Sequence, residues 1–175
     1  MNSLPPCWTQ TEHARYFSLA RHALAAALHA AGIGAGARVL LPEFICRDVL
    51  AAVAAVGATP CWYATAADLS PAADQSAWPQ AAAVIAVNYF GFAQDLAMFR
   101  RYTSRTGAIL IEDNAHGFLS RNPDGQWLGC RADIGLFSFR KTVSRLNGAA
   151  CVIADANMRA RLPRSEEHTS ELQSH

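Results

Sequence analysis

Lys141 is the only lysine in a 175-residue chain, since 14 of its 15 lysine and arginine residues are arginine. A lysine amine can lose its proton and attack a carbonyl carbon, whereas an arginine, whose pKa lies above about 12, stays charged. This chain uses arginine where a positive charge alone is needed, which favours a chemical role for Lys141. The alternative is a chance lysine in a basic surface turn.

A second polar group, Glu112-Asp113-Asn114-Ala115-His116, follows an apolar segment. Carboxylates at the end of a buried strand are costly unless they meet a charge or a ligand. A carboxylate in such a place can hold a cationic heterocyclic nitrogen. The alternative is a capped turn that begins at Asp113 or Asn114.

Two further segments could bind phosphate. Ser138 and Arg140 lie beside the lysine and offer a hydroxyl and a fixed cation. Ser18 and Arg21 lie at a predicted helix start, where free amides and the helix dipole favour an anion. An ordinary helix start capped by Ser18 explains the second segment equally well. A phosphate site, a carboxylate and a lysine amine together are what pyridoxal phosphate requires, because its aldehyde condenses with lysine and its protonated ring accepts electrons.

The elements that must position these residues alternate along the chain. Helices are predicted over 20–31, 46–56, 95–106 and 156–162, with Asp95 capping the third, and strands over 38–41, 59–63, 82–87, 108–112, 134–139 and 149–153. Residues 12–18 are ambiguous. This alternation predicts an α/β fold, a three-layer sandwich with a mostly parallel sheet and helices on both faces. In such sheets ligands bind at the carboxyl ends of the strands, which here follow residues 41, 87, 112 and 137.

Composition excludes several classes of protein. Hydrophobic residues make up 51% of the chain and the net charge is +1, so neither a disordered tail nor a nucleic-acid partner is indicated. No apolar run reaches the length of a membrane span, and no zinc-binding spacing occurs, so we expect no membrane partner and no metal. Five widely spaced cysteines argue against a disulfide framework and favour the cytoplasm.

Five segments carry a resemblance to a known family. They read YFSLARHAL, GIGAGARVLLPEFICRDVLAAVAAVGATP, NYFGFAQDL, GAILIEDNAHG and IGLFSFRKT, between about residues 16 and 153. In this order they resemble the large domain of the fold-type-I pyridoxal-phosphate enzymes. Within that group the chain is similar to the DegT/DnrJ/EryC1/StrS aminotransferases, which make amino sugars.

The resemblance implies roles for the residues singled out above. Lys141 corresponds to the Schiff-base lysine that also moves the substrate α-proton, and Asp113 to the partner of the pyridine nitrogen. His116 lies where the family carries Gln or His near the ring hydroxyl. The aromatic residue that stacks on the ring falls near Cys46, so Phe44 is the candidate substitute.

The phosphate ligands follow from the same resemblance. Ser138 corresponds to a phosphate ligand, and Arg21 and His22 fall at the phosphate-binding helix start, which acts largely through main-chain amides. The family commonly separates the strand-end serine from the lysine by five residues. Here the separation is three, Ser138 to Lys141, which leaves the register of the lysine less certain.

The implied activity is transfer of an amino group, with glutamate as donor and a keto-sugar or similar keto compound as acceptor, by ping-pong Schiff-base chemistry. A homodimer is implied for the full-length protein. Alternatives are another reaction on the same cofactor (a dehydratase, desulfurase or lyase), or a non-catalytic fragment or cofactor-binding regulator.

The last twelve residues, 164–175, resemble a translated sequencing adapter and are expected to be a non-native, disordered tail. Without them the charge is 14 basic minus 11 acidic residues, or +3. Residues 1–163 are then expected to be a C-terminally truncated cofactor-binding large domain. We expect this chain alone to show no transaminase turnover, and measurable turnover would contradict that expectation.

Overall fold

The computed structural model describes residues 13–143 and 147–163. The predicted tail, 164–175, lies outside the described residues. Over the described ranges the chain forms β1 (Ala14–Phe17), α1 (Ala20–Ala30), β2 (Arg38–Pro42), α2 (Arg47–Ala55), β3 (Thr59–Tyr63), β4 (Ala83–Val87), α3 (Ala97–Thr106), β5 (Ile109–Asp113), β6 (Ile134–Ser138), β7 (Ala149–Ile153) and α4 (Ala156–Ala160).

The strands form one seven-stranded sheet in the order β1-β7-β6-β5-β4-β2-β3. The pairs β3/β2, β2/β4, β4/β5 and β5/β6 are parallel, which confirms the predicted mostly parallel sheet. β7 runs antiparallel to both β6 and β1. The connection between β6 and β7 is too short for the helical crossover that a parallel pair would need. β1, which the sequence left ambiguous, pairs with β7 at the edge of the sheet.

Helices cover both faces of the sheet, so the predicted three-layer architecture is confirmed. Alternate residues of β4 show this arrangement. Ala83, Ile85 and Val87 pack in the same cluster as α1 and α2. Val84 and Ala86 pack in a second cluster with α3 and the ring of Trp78. All five residues are buried, which is why this strand reads as a continuous apolar run.

Two helix starts differ from the sequence prediction. The N-cap of α1 is Leu19, not Ser18, and it makes no side-chain capping bond. The Ser18 hydroxyl instead lies 3.1 Å from His22 Nδ1, while its carbonyl accepts the Gly148 amide. The N-cap of α3 is Leu96, not Asp95. The Asp95 carboxylate nevertheless accepts the Ala97 amide, at 2.9 Å, so it still satisfies the first turn.

The cysteines also differ from expectation. Cys130 is disulfide-bonded, which the sequence analysis did not predict. Cys46, Cys61 and Cys151 are free thiols. Among the described residues, no helix has the length and apolar character needed to cross a membrane.

Candidate active site

The polar segments meet at one edge of the sheet. Because β2, β4, β5 and β6 are parallel, their carboxyl ends lie side by side. Asp113 is the last residue of β5, and Ser138 is the last residue of β6. A 3₁₀ turn over Phe139–Lys141 follows β6 directly and carries the lysine. The structure therefore places these predicted residues at the carboxyl ends of the parallel strands.

Two cavities of about 280 Å³ each open at this edge. The first, here called the aromatic cavity, is lined among others by Phe44, Tyr89, Phe90 and His116. The second, called the helix cavity, is lined among others by Leu19, Ala20, Arg21, Ser138 and Arg140. Both are also lined by Cys46, Val49, Asp113, Ala115 and Lys141. The shared residues make the lysine and the aspartate accessible from either side.

Lys141 lies beside a histidine. Its Nζ is 2.9 Å from His116 Nε2. The other ring nitrogen of His116, Nδ1, accepts the Phe90 main-chain N–H at 3.2 Å. The Phe90 ring stacks on the imidazole, with ring centres 5.9 Å apart and planes 12° apart. The structure thus brings together the predicted lysine and the predicted ring-hydroxyl residue.

Asp113 is buried, with 9% of its surface exposed. Its Oδ1 accepts the Ala115 N–H at 2.9 Å, so the residue also begins a turn. Burial raises the pKa of its carboxyl above the ordinary value, against the Ala115 bond and the positive charges of Lys141 and His116. A cationic group in either cavity would offset this desolvation.

The helix cavity lies at the start of α1. Because Leu19 provides no side-chain cap, the first amides of the helix are not satisfied by a capping bond. Arg21 lines this cavity and forms an exposed ion pair with Asp48 at 3.3 Å. Ser138 is buried and lines the cavity. His22 lines neither cavity, and its assignment to the phosphate site stays a prediction.

A buried ion pair lies beneath the strand ends. The Glu112 carboxylate accepts bonds from Arg131 Nη2 at 2.6 Å and Nε at 2.9 Å. It also accepts the Arg131 main-chain N–H at 3.0 Å and Asn88 Nδ2 at 2.8 Å. The second polar contact of Asn88 Nδ2 is Asn114 Oδ1, at 3.2 Å. The sequence analysis predicted that burial of Glu112 and Asn114 would be costly without a partner. It did not predict that the partner is Arg131.

The aromatic cavity contains residues that sequence reasoning missed. Tyr89 and Phe90 occupy a 3₁₀ turn after β4, and Phe90 has a φ of 54°. Tyr89 donates its hydroxyl to the Phe44 carbonyl. Burial and the nearby Asp113 charge raise the pKa of Tyr89 to about 12, so it stays a neutral donor. The sequence signal for both residues was their place directly after a buried strand.

Phe44 was predicted to substitute for the aromatic residue missing at Cys46. The Phe44 side chain lines the aromatic cavity, and its ring centre lies 5.8 Å from that of Tyr89. Phe44 is 57% exposed, so its outer face is open. Whether it stacks on a cofactor ring stays a prediction.

The donor set of this site fits pyridoxal phosphate. The buried Asp113 carboxylate suits a protonated ring nitrogen, and the Lys141 amine suits the aldehyde. The uncapped start of α1, with Ser138 and Arg140 beside it, suits the phosphate. All of these groups line the helix cavity. His116 lies within hydrogen-bonding distance of the lysine, on the side of the aromatic cavity.

Comparison with solved structures supports the fold. The Streptomyces venezuelae DesV structure, in complex with a ketimine intermediate, matches with a TM-score of 0.75 and 28% identity, over 85% of this chain and 42% of that one. DesI, solved in the presence of its TDP-sugar product, matches with a TM-score of 0.74 and 28% identity, over 85% of this chain and 39% of that one.

Curated relatives point the same way. A UDP-N-acetyl-3-dehydro-α-D-glucosamine 3-aminotransferase of Acidithiobacillus ferrooxidans is 32% identical, over 85% of this chain and 42% of the relative. An L-glutamine:2-deoxy-scyllo-inosose aminotransferase of Streptomyces kanamyceticus is 29% identical, over 78% of this chain and 33% of the relative. The chain therefore spans between a third and about two fifths of the length of these relatives.

The family model for the DegT/DnrJ/EryC1/StrS aminotransferases matches residues 7–173. The match runs into the segment 164–175, whose interpretation as a non-native tail stays a prediction. It covers nearly the whole chain and includes every residue of the two cavities. The chain belongs to the DegT/DnrJ/EryC1/StrS aminotransferase family.

Proposed function

We propose that this chain is the cofactor-binding part of a pyridoxal-phosphate-dependent aminotransferase. The observation that carries the proposal is that the only lysine, Lys141, lines the same two cavities as the buried Asp113 carboxylate. Lys141 is exposed on its turn, but it lines these cavities beside a desolvated carboxylate, a neighbour that a chance surface lysine does not need. The names of the relatives support the same reaction class.

Lys141 has two roles in this proposal, and the other residues of the site have one each. When bound, pyridoxal phosphate supplies an aldehyde and a ring that can accept electrons. Lys141 binds the aldehyde through its amine, and Asp113 keeps the ring nitrogen protonated by offering a negative charge. Ser138, Arg140 and the first amides of α1 hold the phosphate. With the cofactor and an amino donor bound, the Lys141 amine would be the group placed to take the proton from the substrate α-carbon.

The substrates that we propose are an amino donor such as glutamate and a keto-sugar acceptor, used in turn at one site. The name of the Acidithiobacillus relative includes a nucleotide-linked dehydro-sugar, and that of the Streptomyces kanamyceticus relative includes L-glutamine as donor. We propose that the full-length protein acts in the cytoplasm as a homodimer. Phe44 and Phe90 line the aromatic cavity and Phe92 lies two residues further along the chain, and their exposures of 57, 69 and 78% support a protein partner there.

An absorbance titration with pyridoxal phosphate tests this assignment. The chain should develop a band near ~420 nm, typical of the cofactor joined to a lysine. Lys141→Arg keeps the charge but cannot condense, so it should show no such band. The double variant Lys141→Arg/Arg101→Lys places the only lysine at the exposed position 101 of α3 and should also lack the band.

The results of this titration separate the assignment of the lysine from the transfer of an amino group. A band that persists in Lys141→Arg would contradict the assignment of the lysine. Addition of glutamate then tests amino transfer, since loss of the band supports the first half-reaction, and a band that remains supports cofactor binding without transfer by this chain.

A further inference from the structure

The connection between β2 and α2, residues 43–46, forms one wall of the aromatic cavity. Phe44, Ile45 and Cys46 of this connection all line the cavity. Side-chain burial fixes little of it, because Glu43, Phe44 and Cys46 are exposed, and Ile45 is the member that packs against the core. A segment with so little buried surface depends on its main-chain hydrogen bonds to keep one position.

Hydrogen bonds tie this connection to the elements on either side of β2. The Glu43 N–H donates to the Tyr63 carbonyl at 3.0 Å, which extends the pairing of β2 with β3 by one residue. On the other side, the Tyr89 hydroxyl donates to the Phe44 carbonyl at 2.5 Å. Tyr89 belongs to the turn after β4, the second neighbour of β2 in the sheet. Its hydroxyl therefore joins the chain segments that follow two adjacent parallel strands.

The donor in this bond is firmly placed. Tyr89 is 8% exposed and packs in the same core cluster as α1 and α2. Its carbonyl accepts the Phe92 N–H at 2.9 Å, and the preceding residue, Asn88, donates to the buried Glu112 carboxylate at 2.8 Å. Burial, followed by the charge of Asp113, raises the pKa of Tyr89 to about 12, so the hydroxyl keeps its proton at neutral pH. A fixed donor thus meets the carbonyl of an exposed segment.

The position of the Phe44 ring depends on this main-chain bond. The ring centre lies 5.8 Å from that of Tyr89, with the two planes 45° apart. Because Phe44 is 57% exposed, packing restrains its ring on one side only. A bond to the carbonyl restricts the backbone of the same residue, and the backbone sets the directions that the side chain can take. Loss of the bond would therefore let the ring leave the cavity wall.

We propose that Tyr89 is a positioning residue, whose hydroxyl holds the main chain of Phe44 so that the Phe44 ring stays on the wall of the aromatic cavity and contacts the bound cofactor. Tyr89 acts through Phe44. The contact with the cofactor rests on the proposed function, whereas the anchoring of residues 43–46 does not. The two parts are therefore tested by separate measurements.

Hydrogen exchange of the cofactor-free chain, read by mass spectrometry, tests the anchoring. Tyr89→Phe keeps the ring and removes the hydroxyl, so the amides of residues 43–49 should exchange about fivefold faster, the fold-change that one lost hydrogen bond of about 1 kcal/mol gives. The matched control is Tyr102→Phe. It removes another buried tyrosine hydroxyl, which donates to the Pro79 carbonyl at 2.8 Å, and Tyr102 lines neither cavity. This control should leave exchange in residues 43–49 unchanged.

Titration with pyridoxal phosphate tests the effect on the cofactor. In Tyr89→Phe the concentration that gives half of the band near ~420 nm should rise about fivefold, whereas Tyr102→Phe should match the wild-type chain. Phe44→Ala removes the ring itself and should also raise this concentration. The double variant Phe44→Ala/Tyr89→Phe should bind no more weakly than Phe44→Ala, because the hydroxyl then has no ring to position. A general loss of structure would instead add to the effect of Phe44→Ala.

Three results would overturn the proposal. The first is exchange in residues 43–49 that is the same in Tyr89→Phe and the wild-type chain, and the second is unchanged cofactor binding in Phe44→Ala. The third is a double variant in which the two effects add, because Tyr89 would then act independently of Phe44. A wild-type chain without a band would contradict the proposed function and the cofactor contact with it, but the exchange measurement would still decide the anchoring.

Discussion

Arg131→Ala should strongly destabilise the chain because it leaves a buried carboxylate without its cation. Glu112 is fully buried, and the Arg131 side chain is 7% exposed. Of the four hydrogen bonds that the carboxylate accepts, the arginine side chain provides two, from Nε and Nη2. The variant keeps the third, from the residue-131 amide, and the fourth, from Asn88.

The size of the effect follows from those two lost bonds. A hydrogen bond to a charged group contributes about 1.5–3 kcal/mol, and removal of one partner from a buried ion pair costs about 3–5 kcal/mol. The exposed pair Arg21–Asp48 provides the comparison, since its side chains are 42 and 46% exposed. Breaking it through Asp48→Ala should cost about 0–1 kcal/mol.

Urea unfolding of the cofactor-free chain, followed by circular dichroism, measures both effects. Arg131→Ala should lower the free energy of unfolding several times more than Asp48→Ala. The double variant Glu112→Gln/Arg131→Met removes both buried charges and should recover part of the loss. Equal costs for Arg131→Ala and Asp48→Ala would refute the reasoning, as would a double variant less stable than Arg131→Ala.

Two further predictions concern residues of β5 and β6. Folding raises the pKa of the Asp113 carboxyl, so its stabilising contribution is present below that raised pKa and is lost as pH rises through it. Asp113→Asn should therefore raise the melting temperature of the cofactor-free chain above that of the unsubstituted chain, and by more at about pH 7 than at about pH 4, near the ordinary pKa of a carboxyl. Asp68→Asn, at a carboxyl whose pKa is lowered, should give no such increase. A melting temperature for Asp113→Asn below that of the unsubstituted chain at about pH 7 would contradict the burial argument. Gly135→Ala should abolish cooperative thermal unfolding, because the added Cβ would lie 1.7 Å from the Gly129 carbonyl oxygen, whereas Gly34→Ala, with its nearest atom at 3.4 Å, should still unfold cooperatively.

The strands were predictable because a strand buried on both faces has a continuous run of apolar residues in the sequence. β4 is buried on both faces and therefore reads as an unbroken apolar run, and its predicted bounds differ from the observed ones by one residue. β1 has no continuous apolar run, because it is a four-residue edge strand with partly exposed residues. Its place depends on pairing with β7, far along the chain.

The site was predictable where chemistry depends on residue type and position at a strand end. Lys141, Asp113 and His116 were found in this way. Arg131 was missed because nothing local distinguishes an arginine 19 residues from the carboxylate that it pairs with. Phe90 was missed because its contribution is a main-chain amide, whose direction depends on a positive φ that its residue type does not predict.

The attachment site of the cofactor tests the central claim most directly. The chain is incubated with pyridoxal phosphate and reduced with borohydride, and its peptides are then analysed by mass spectrometry. Because the chain has one lysine, we predict a single side-chain adduct, on Lys141. An adduct confined to the N-terminal amine, or none where the absorbance band is present, would contradict the account.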